Sequence, residues 1–148
     1  MAFSTQVYNH TARQLLDGAL TPGSTTLKVL LLEATAAFDA THATVAAVTN
    51  SGAHEFSGNG WAPGGVELSN LTVFTVNVQD AQLACNSVSV TATGGAIAAT
   101  YALVYRVVSG GDDVPLIWID FGGEQSAADT FNFEISFSGG LAVIGVAS

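Results

Sequence analysis

Apolar and polar residues alternate with a period of two over most of the chain. In the clearest segment, FNFEISF at residues 131–137, every second residue from Phe131 to Phe137 is apolar and each residue between them is polar. Successive side chains of a β-strand point to opposite faces, so this pattern predicts a strand with one buried face. The same reasoning predicts strands at residues 26–33, 71–78, 86–92, 100–108, 114–121 and 141–147.

Two of these segments are apolar on both faces. TLKVLLLE (26–33) and VPLIWIDF (114–121) are expected to be central strands that are covered on either side. Short strands at this spacing are typical of antiparallel sandwiches and barrels. We therefore predict an all-β fold, an antiparallel β-sandwich of jelly-roll-like type. Glycine-rich separators predict turns at residues 93–95, 109–113, 122–123 and 138–140.

One segment has the period of a helix. In NHTARQLLDGALTPG, apolar residues recur at i, i+3, i+4 and i+7 from Ala12 to Ala19. Asn9 or Thr11 can cap its start, and Pro22 ends it. We predict one N-terminal helix packed on the sandwich.

The length of 148 residues predicts a single domain that spans residues 1–148.

Only the region 34–60 lacks a clear period. It is expected to form either a short helix near residues 42–48 or a long surface loop.

The charge balance narrows the classes of partner. Net charge is −9, and the only cationic residues are Arg13, Lys28 and Arg106. Binding to nucleic acids or anionic membranes is therefore not expected, because it requires clustered cations.

Charged residues make up only 10% of the chain and hydrophobic residues 49%. A monomer of this composition exposes much apolar surface, so we expect a homo-oligomer, a trimer by preference. No signal peptide is expected, since no charged segment followed by an apolar run begins the sequence.

The loop FSGNGWAPGGVELSN, residues 56–70, is the stretch that most resembles a ligand site. A phosphate loop needs Lys and Ser or Thr after its last glycine, whereas Val66 and Glu67 follow here. The next segment also alternates like a strand, so no helix N-terminus is available for an anion. We predict a structural loop whose bends surround a tryptophan that plugs the end of the sandwich. Its residues are Gly58, Gly60, Trp61, Pro63, Gly64 and Gly65.

Metal sites find little support in the spacing of candidate ligands. His10, His42 and His54 lack the H-x-x-x-H and C-x-x-C spacings of zinc sites, and capping or surface roles are expected for them. Asp112 and Asp113 could bind calcium loosely, but the acidic spacing of an EF-hand is absent. A solvated hairpin tip is the preferred interpretation, and we predict no metal and no cofactor.

Catalytic patterns are equally weak. The chain has no G-x-S-x-G nucleophile motif, and Cys85 is interpreted as a small buried hydrophobe. A glycosidase needs two carboxyls that face one cleft, whereas Asp120 and Glu134 each alternate onto a polar strand face. We predict that the protein is not an enzyme and has no catalytic residues.

Three motifs together resemble a known family. They are YNHTAR at Tyr8–Arg13, the GxGWxxGGV loop at Gly58–Val66, and IDFG at Ile119–Gly122 followed by Gln125 and Ser126. In this order the chain resembles a family of small virion proteins of tailed bacteriophages that are similar to head decoration, or cement, proteins. The resemblance runs from about Tyr8 to the end of the chain.

The resemblance implies a structural, non-enzymatic capsid decoration protein that stabilises the head. Its expected partners are its own copies, as a homotrimer on local threefold axes, and the major capsid protein. The expected location is the capsid surface of the virion, after synthesis in the host bacterial cytoplasm. The alternative is a tail or fibre module that binds a host-surface glycan, with Trp61 as the evident loop aromatic. A small hydrolase is the third hypothesis.

The first eight residues, MAFSTQVY, carry no charged side chain. Residues 1–8 form a candidate N-terminal arm, with Phe3, Val7 and Tyr8 as hypothetical interface residues. In one interpretation Val7 and Tyr8 staple the start of the helix and Phe3 covers the edge of its own core. In the other, the arm packs on a neighbouring copy or on the major capsid protein.

Overall fold

A computed structural model describes residues 4–21, 24–75, 80–137 and 142–145 of the chain. Strands are the predominant regular secondary structure of these residues, and every strand pair is antiparallel. The elements are β1 (Ser4–Val7), α1 (Thr11–Leu16), β2 (Leu27–Leu32), α2 (Val45–Thr49), β3 (Glu55–Phe56), β4 (Val66–Glu67), β5 (Thr72–Thr75), β6 (Asp80–Ala84), β7 (Val88–Thr91), β8 (Ile97–Arg106), β9 (Val114–Ala127), β10 (Asn132–Ile135) and β11 (Ala142–Gly145).

The largest sheet has six strands in the order β1-β9-β8-β2-β3, and β4 also pairs with β2. Two smaller sheets have the orders β10-β7 and β11-β6-β5. The long strands β8 and β9 pair along most of their length, from Ile97 opposite Ala127 to Arg106 opposite Val114. The all-β and antiparallel parts of the predicted fold are therefore confirmed.

Side chains bury both faces of the six-stranded sheet, as predicted for residues 26–33 and 114–121. On one face the cluster includes Phe121, which meets Phe133 of β10 edge to face at 6.2 Å between ring centroids. On the other face Phe38 contacts both Tyr8, at 5.0 Å, and Trp118, at 5.9 Å. The segment that follows β2 thus covers this second face of the sheet.

The predicted packed N-terminal helix is not confirmed. Its segment forms only the six-residue α1, and Leu16, expected on the apolar stripe, is 89% exposed. The side chains of Ala12 and Leu15 lie outside the described residues. The short α1 is fixed at its start instead, where the buried Thr11 hydroxyl donates to the Leu116 carbonyl at 2.9 Å.

The aperiodic region 34–60 contains a short helix, one of the two expected alternatives. The Thr44 hydroxyl accepts a hydrogen bond from the Ala47 amide at 3.2 Å and so caps α2. Asn50, at φ 50°, ends the helix in the left-handed conformation, and Val48 is buried against the sheet. Within the described ranges, neither helix is long and apolar enough to cross a membrane.

Each segment predicted as a strand contains one, although residues 76–78, 141 and 146–147 of these segments lie outside the described residues. The turn predicted at residues 138–140 also lies outside them. One inward residue was predicted wrongly. Phe131 is 67% exposed, because β10 begins at Asn132 and Phe131 belongs to the preceding turn. Strands β1, β3 and β6 were not predicted.

The glycine doublet Gly122-Gly123 is not a turn between strands. Strand β9 continues through it, with φ values of 78° and 147° at the two glycines. The register with β8 shifts here, since Tyr101 lies opposite Asp120 but Ala99 lies opposite Gln125. The doublet is therefore part of a β-bulge, in which glycine supplies the positive φ of the extra residues.

Candidate functional site

Three turns meet at one end of the protein, and we call this surface the three-turn end. It consists of residues 58–61, 92–96 and 128–131. The first turn contains Asn59 and Gly60, whose φ values of 52° and 96° are the positive pair that a type I′ turn requires. Gly58 and Trp61 close it with hydrogen bonds of 2.8 and 2.9 Å between their main-chain groups.

Hydrogen bonds join the first turn to the second. The Thr93 amide donates to the Asn59 carbonyl at 2.9 Å, and the Asn59 side-chain amide donates to the Ala96 carbonyl at 2.7 Å. A Cβ at Gly60 would lie 2.6 Å from the Thr91 carbonyl oxygen, so the first turn lies directly against the second. The loop predicted to be structural thus holds a neighbouring turn in place.

The third turn presents an aromatic ring to solvent. The amide of Thr130 donates to the Ala92 carbonyl at 2.8 Å, and the Ala92 amide donates to the Phe131 carbonyl at the same distance. The Asp129 carboxylate accepts from the Gly94 amide at 2.9 Å. Thr130 has a φ of 75°, an unfavourable value for a β-branched residue. Hydrogen bonds to Ala92 and Gly94 thus fix the third turn, and the ring of Phe131 points outward from it.

Trp61 lies beneath this end and is only 1% exposed. Its ring meets Phe133 edge to face at 6.0 Å between centroids, within the core that covers one face of the large sheet. The indole Nε1 makes no hydrogen bond to the described residues. Trp61 is therefore placed for packing, and stacking of its ring on a sugar in solvent is not possible from this position.

The second half of the glycine-rich loop packs on β2. Ala62, Pro63 and Gly64 form a turn that the Gly65 amide closes by donating to the Ala62 carbonyl at 3.0 Å. Gly64, at φ 78°, occupies the position of a type II turn that needs positive φ. The turn leads directly into β4.

Two side chains fix the Gly64 peptide. Its amide donates to the Glu55 carboxylate at 2.5 Å, and its carbonyl accepts from the Tyr105 hydroxyl at 2.5 Å. Burial, followed by the nearby carboxylates of Asp113 and Glu55, raises the pKa of Tyr105 to about 12. The hydroxyl consequently keeps the proton that it donates. A groove of about 380 Å³ adjoins this arrangement and is lined by Glu55, Tyr105, Asp112 and Asp113 among others.

The three histidines have separate structural partners. His10 Nε2 lies 2.7 Å from the Pro115 carbonyl, and His54 Nδ1 lies 2.9 Å from the Thr35 hydroxyl. His42 Nε2 is 3.9 Å from the Asp39 carboxylate. Over the described parts of the chain, His, Cys, Asp and Glu side chains form no group of three that could hold a metal ion.

The remaining acidic candidates lie apart or support turns. Asp113 accepts from the Val108 amide at 2.9 Å, and Asp120 accepts from the Gly122 amide at 2.8 Å. Asp120 lies on β9 of the large sheet, whereas Glu134 lies on β10 of the two-stranded sheet. Burial raises the pKa of the half-buried Cys85 thiol to about 11, which opposes the thiolate that a nucleophile needs.

The proposed interface residues are placed differently from one another. Tyr8 is 1% exposed and packs in its own core, while Val7 ends the exposed strand β1 and is 38% exposed. Phe3 lies outside the described residues. The interface itself stays a prediction. Sequence reasoning missed one exposed aromatic residue, Phe131. The turn-forming Asp129 just before this segment was the available signal that the strand begins later than Phe131.

No protein-family model matches the chain, and neither a curated protein nor a solved structure matches it significantly.

Proposed function

We propose that this chain is a structural, non-enzymatic bacteriophage virion protein, and specifically a capsid decoration protein that stabilises the head. The observation that carries the proposal is strand β1, an uncharged strand at the edge of the large sheet in which every residue is exposed. An edge strand presents unpaired amides and carbonyls to any neighbouring chain.

The register of β1 identifies these unpaired groups. Tyr8 donates its amide to the Leu116 carbonyl at 3.0 Å, so the main-chain groups of Tyr8 face β9. In an antiparallel pair, every second residue directs its main-chain amide and carbonyl toward the partner strand. The main-chain groups of Gln6, two residues before Tyr8, therefore also face β9. Those of Thr5 and Val7 point away from it. Edge strands avoid association by being short or by carrying Lys, Pro or a bulge, and β1, although only four residues long, has no Lys, Pro or bulge.

The roles of the polar side chains support a structural rather than a catalytic protein. Thr11, Asp113 and Asp120 each use a side-chain oxygen to hold a main-chain group of their own chain. Glu55 does the same at Gly64. Residues that would be candidates for chemistry are thus engaged in fixing turns and strand ends.

The finer fold that we propose is a jelly-roll-like sandwich, in which the smaller sheets pack on one face of the six-stranded sheet. Contact between Phe121 of β9 and Phe133 of β10 supports this arrangement. As a decoration protein the chain is a homotrimer on the capsid surface and contacts the major capsid protein. It stabilises the head because it binds the assembled shell and not the free subunits.

The second candidate is a tail or fibre module that binds a host-surface glycan. The observation that favours it is Phe131, an aromatic ring that is 67% exposed on a loop. In this case the protein is at the tail rather than on the head.

Immunogold labelling of particles from cells that carry the gene distinguishes the candidates. An antibody to this chain is expected to label heads uniformly if the protein is a decoration protein. Labelling confined to tails overturns that function and supports the second candidate. Absence of label from purified particles overturns both.

A further inference from the structure

We propose that residues 34–43, which we call the strap, open as a unit while the sheet stays folded, and that opening uncovers the aromatic rings of Tyr8 and Trp118. All residues of the strap are described, and none of them belongs to a helix or strand. The strap runs from the end of β2 to α2 and lies across one face of the large sheet. Its Phe38 ring covers Tyr8 and Trp118, at 5.0 and 5.9 Å between ring centroids. Irregular connections of this length are often movable covers.

Few side chains hold the strap on the sheet. Ala36 is its one buried residue, Phe38 is partly buried, and most of the others are exposed. The Thr35 hydroxyl lies 2.9 Å from His54 Nδ1, but this contact is at an exposed position. Segments with few buried apolar contacts open at a lower free energy than the core of the same protein.

The main chain of the strap is joined to the rest of the chain at one point. The His42 amide donates to the Asp39 carbonyl at 3.1 Å, within the strap itself. Among the described residues, a single main-chain hydrogen bond links the strap to a distant part of the sequence. In it, the Asn9 amide donates to the Ala40 carbonyl at 3.1 Å. Loss of this bond and of the Phe38 contacts is therefore enough to release the strap.

The Asp39 carboxylate organises the turn that holds the Ala40 carbonyl in place. One of its oxygens accepts from the Thr41 amide at 2.9 Å and from the Thr41 hydroxyl at 2.6 Å. The other oxygen lies 3.9 Å from His42 Nε2. These are bonds within the strap, and we expect their removal to favour the open state without loosening the sheet.

Two buried polar atoms oppose closure of the strap. The hydroxyl oxygen of Tyr8 and Nδ1 of His42 make no hydrogen bond to the described residues. Burial, followed by the Asp39 carboxylate, raises the pKa of Tyr8, so this hydroxyl lies within electrostatic reach of the strap. A buried polar atom without a partner costs free energy, and contact with water on opening recovers it. Closure is therefore less favourable than the aromatic contacts alone would make it.

Two neighbouring amides distinguish opening of the strap from fraying of the N-terminal segment. Tyr8 donates its amide to the Leu116 carbonyl of β9 at 3.0 Å, whereas Asn9 donates to Ala40 of the strap. Opening of the strap frees the Asn9 amide and leaves that of Tyr8 bonded. In hydrogen exchange of the whole chain followed by NMR, corrected for intrinsic rates, Asn9 is expected to exchange at least about tenfold faster than Tyr8.

A substitution in the strap tests the cause of this difference. Asp39→Ala removes the acceptor of the two Thr41 bonds and should speed exchange at Asn9 about tenfold further, while the rate at Tyr8 stays within about twofold. Asp17→Ala is the matched control and should change neither rate. Asp17 also has an exposed carboxylate that accepts from a nearby side chain, at 3.2 Å, but it lies outside the strap.

Chymotrypsin cleavage after Phe38, identified by fragment mass, is the second measurement. A protease needs an opened stretch of backbone, and its rate follows the population of the open form. Asp39→Ala should therefore accelerate this cleavage by about the same factor as exchange at Asn9, and Asp17→Ala should not.

Equal exchange at Asn9 and Tyr8 overturns the strap, because both amides then open with the N-terminal segment or with the whole chain. An Asp39→Ala variant that leaves exchange at Asn9 within twofold of wild type also overturns it. Faster exchange at Asn9 without faster cleavage after Phe38 does so as well, because the bond to Ala40 is then lost without opening. The strap belongs to the free chain, so none of these outcomes bears on the proposed function.

Discussion

A Cβ atom added to Gly65 would lie 1.9 Å from the carbonyl oxygen of Val29, inside any permitted contact. The two residues belong to the junction at which the glycine-rich loop enters β4 and β4 pairs with β2. Gly65 also has a φ of +83°, so both its space and its backbone conformation require glycine.

Gly65→Ala is therefore expected to lower the free energy of unfolding by about 3 kcal/mol or more, since left-handed strain and overpacking add. Gly94→Ala is the matched control. Its φ is +81° and nothing lies within 4 Å of the added Cβ, so only the strain of about 1–2 kcal/mol applies. Urea denaturation measures both, and equal losses in the two variants would contradict the close approach to Val29.

Trp61 provides a test of the plug at the three-turn end. Trp61→Ala is expected to cost roughly 3–5 kcal/mol, as other large truncations in cores do. Phe131→Ala, at the exposed position of the same end, is expected to change stability by less than about 0.5 kcal/mol. A Trp61→Ala protein that unfolds at the same urea concentration as the wild type would show that the indole is not part of the core.

The sequence predicted the strands because burial on one face leaves a period of two, and burial on both faces leaves continuous apolar runs. It did not predict what covers the second face, since the covering segment around Phe38 and Val48 has no period of its own. The doublet Gly122-Gly123 was misinterpreted because turns and β-bulges need the same positive φ, and pairing with β8 alone distinguishes them.

The candidate site was predictable only in part. The glycines and Trp61 were recognised as a structural loop from the absence of a following helix signal. Phe131 was not recognised, because the alternation of residues 131–137 extends one residue beyond the strand that begins at Asn132. Hydrogen bonds between Ala92 and the third turn set that boundary, and they join residues far apart in sequence.

The hydroxyl of Thr11 links α1 to the large sheet, and it offers a sharp test of that link. Thr11 is 2% exposed and donates to the Leu116 carbonyl. Thr11→Val removes the hydrogen bond at nearly constant volume, and we expect a loss of about 1 kcal/mol. Thr5→Val, on the exposed face of β1, is the control and should stay within about 0.5 kcal/mol of wild type. Equal stability of the two variants, by thermal melting, would contradict a role for the Thr11 bond.

Cys85 should make the stability of the protein depend on pH in the alkaline range. Its pKa is raised to about 11 by burial, whereas a cysteine in an unfolded chain has a pKa of about 8.5. The folded state binds the thiol proton more tightly than the unfolded chain does. The contribution of Cys85 to the free energy of unfolding is therefore fully present below about pH 8.5 and is lost as the pH rises toward 11.

Alkylation by iodoacetamide measures this directly, because only the thiolate reacts. At about pH 8.5 the folded chain should react on the order of a hundred times more slowly than the urea-unfolded chain. In Cys85→Ala the corresponding fall in stability between about pH 8.5 and 11 should disappear. Similar alkylation rates in the folded and unfolded chains would contradict the burial of this thiol.

Strand β1 gives a pair of neighbouring positions with opposite expectations. The amide of Gln6 faces β9, so Gln6→Pro removes a hydrogen bond of the sheet and should destabilise the chain by roughly 1–3 kcal/mol. The amide of Thr5 points outward, so Thr5→Pro removes only a donor at the open edge, where proline is tolerated. Its melting temperature should stay close to that of the wild type.

The two variants should therefore separate folding from association. If the edge of β1 joins the chain to a neighbour, Thr5→Pro should weaken oligomer formation in light scattering, or binding to purified heads, while the fold stays intact. Thr5→Val keeps the outward amide and is expected to associate like the wild type. Normal association of Thr5→Pro would show that the edge of β1 is not used, and the assembly surface would then have to lie elsewhere.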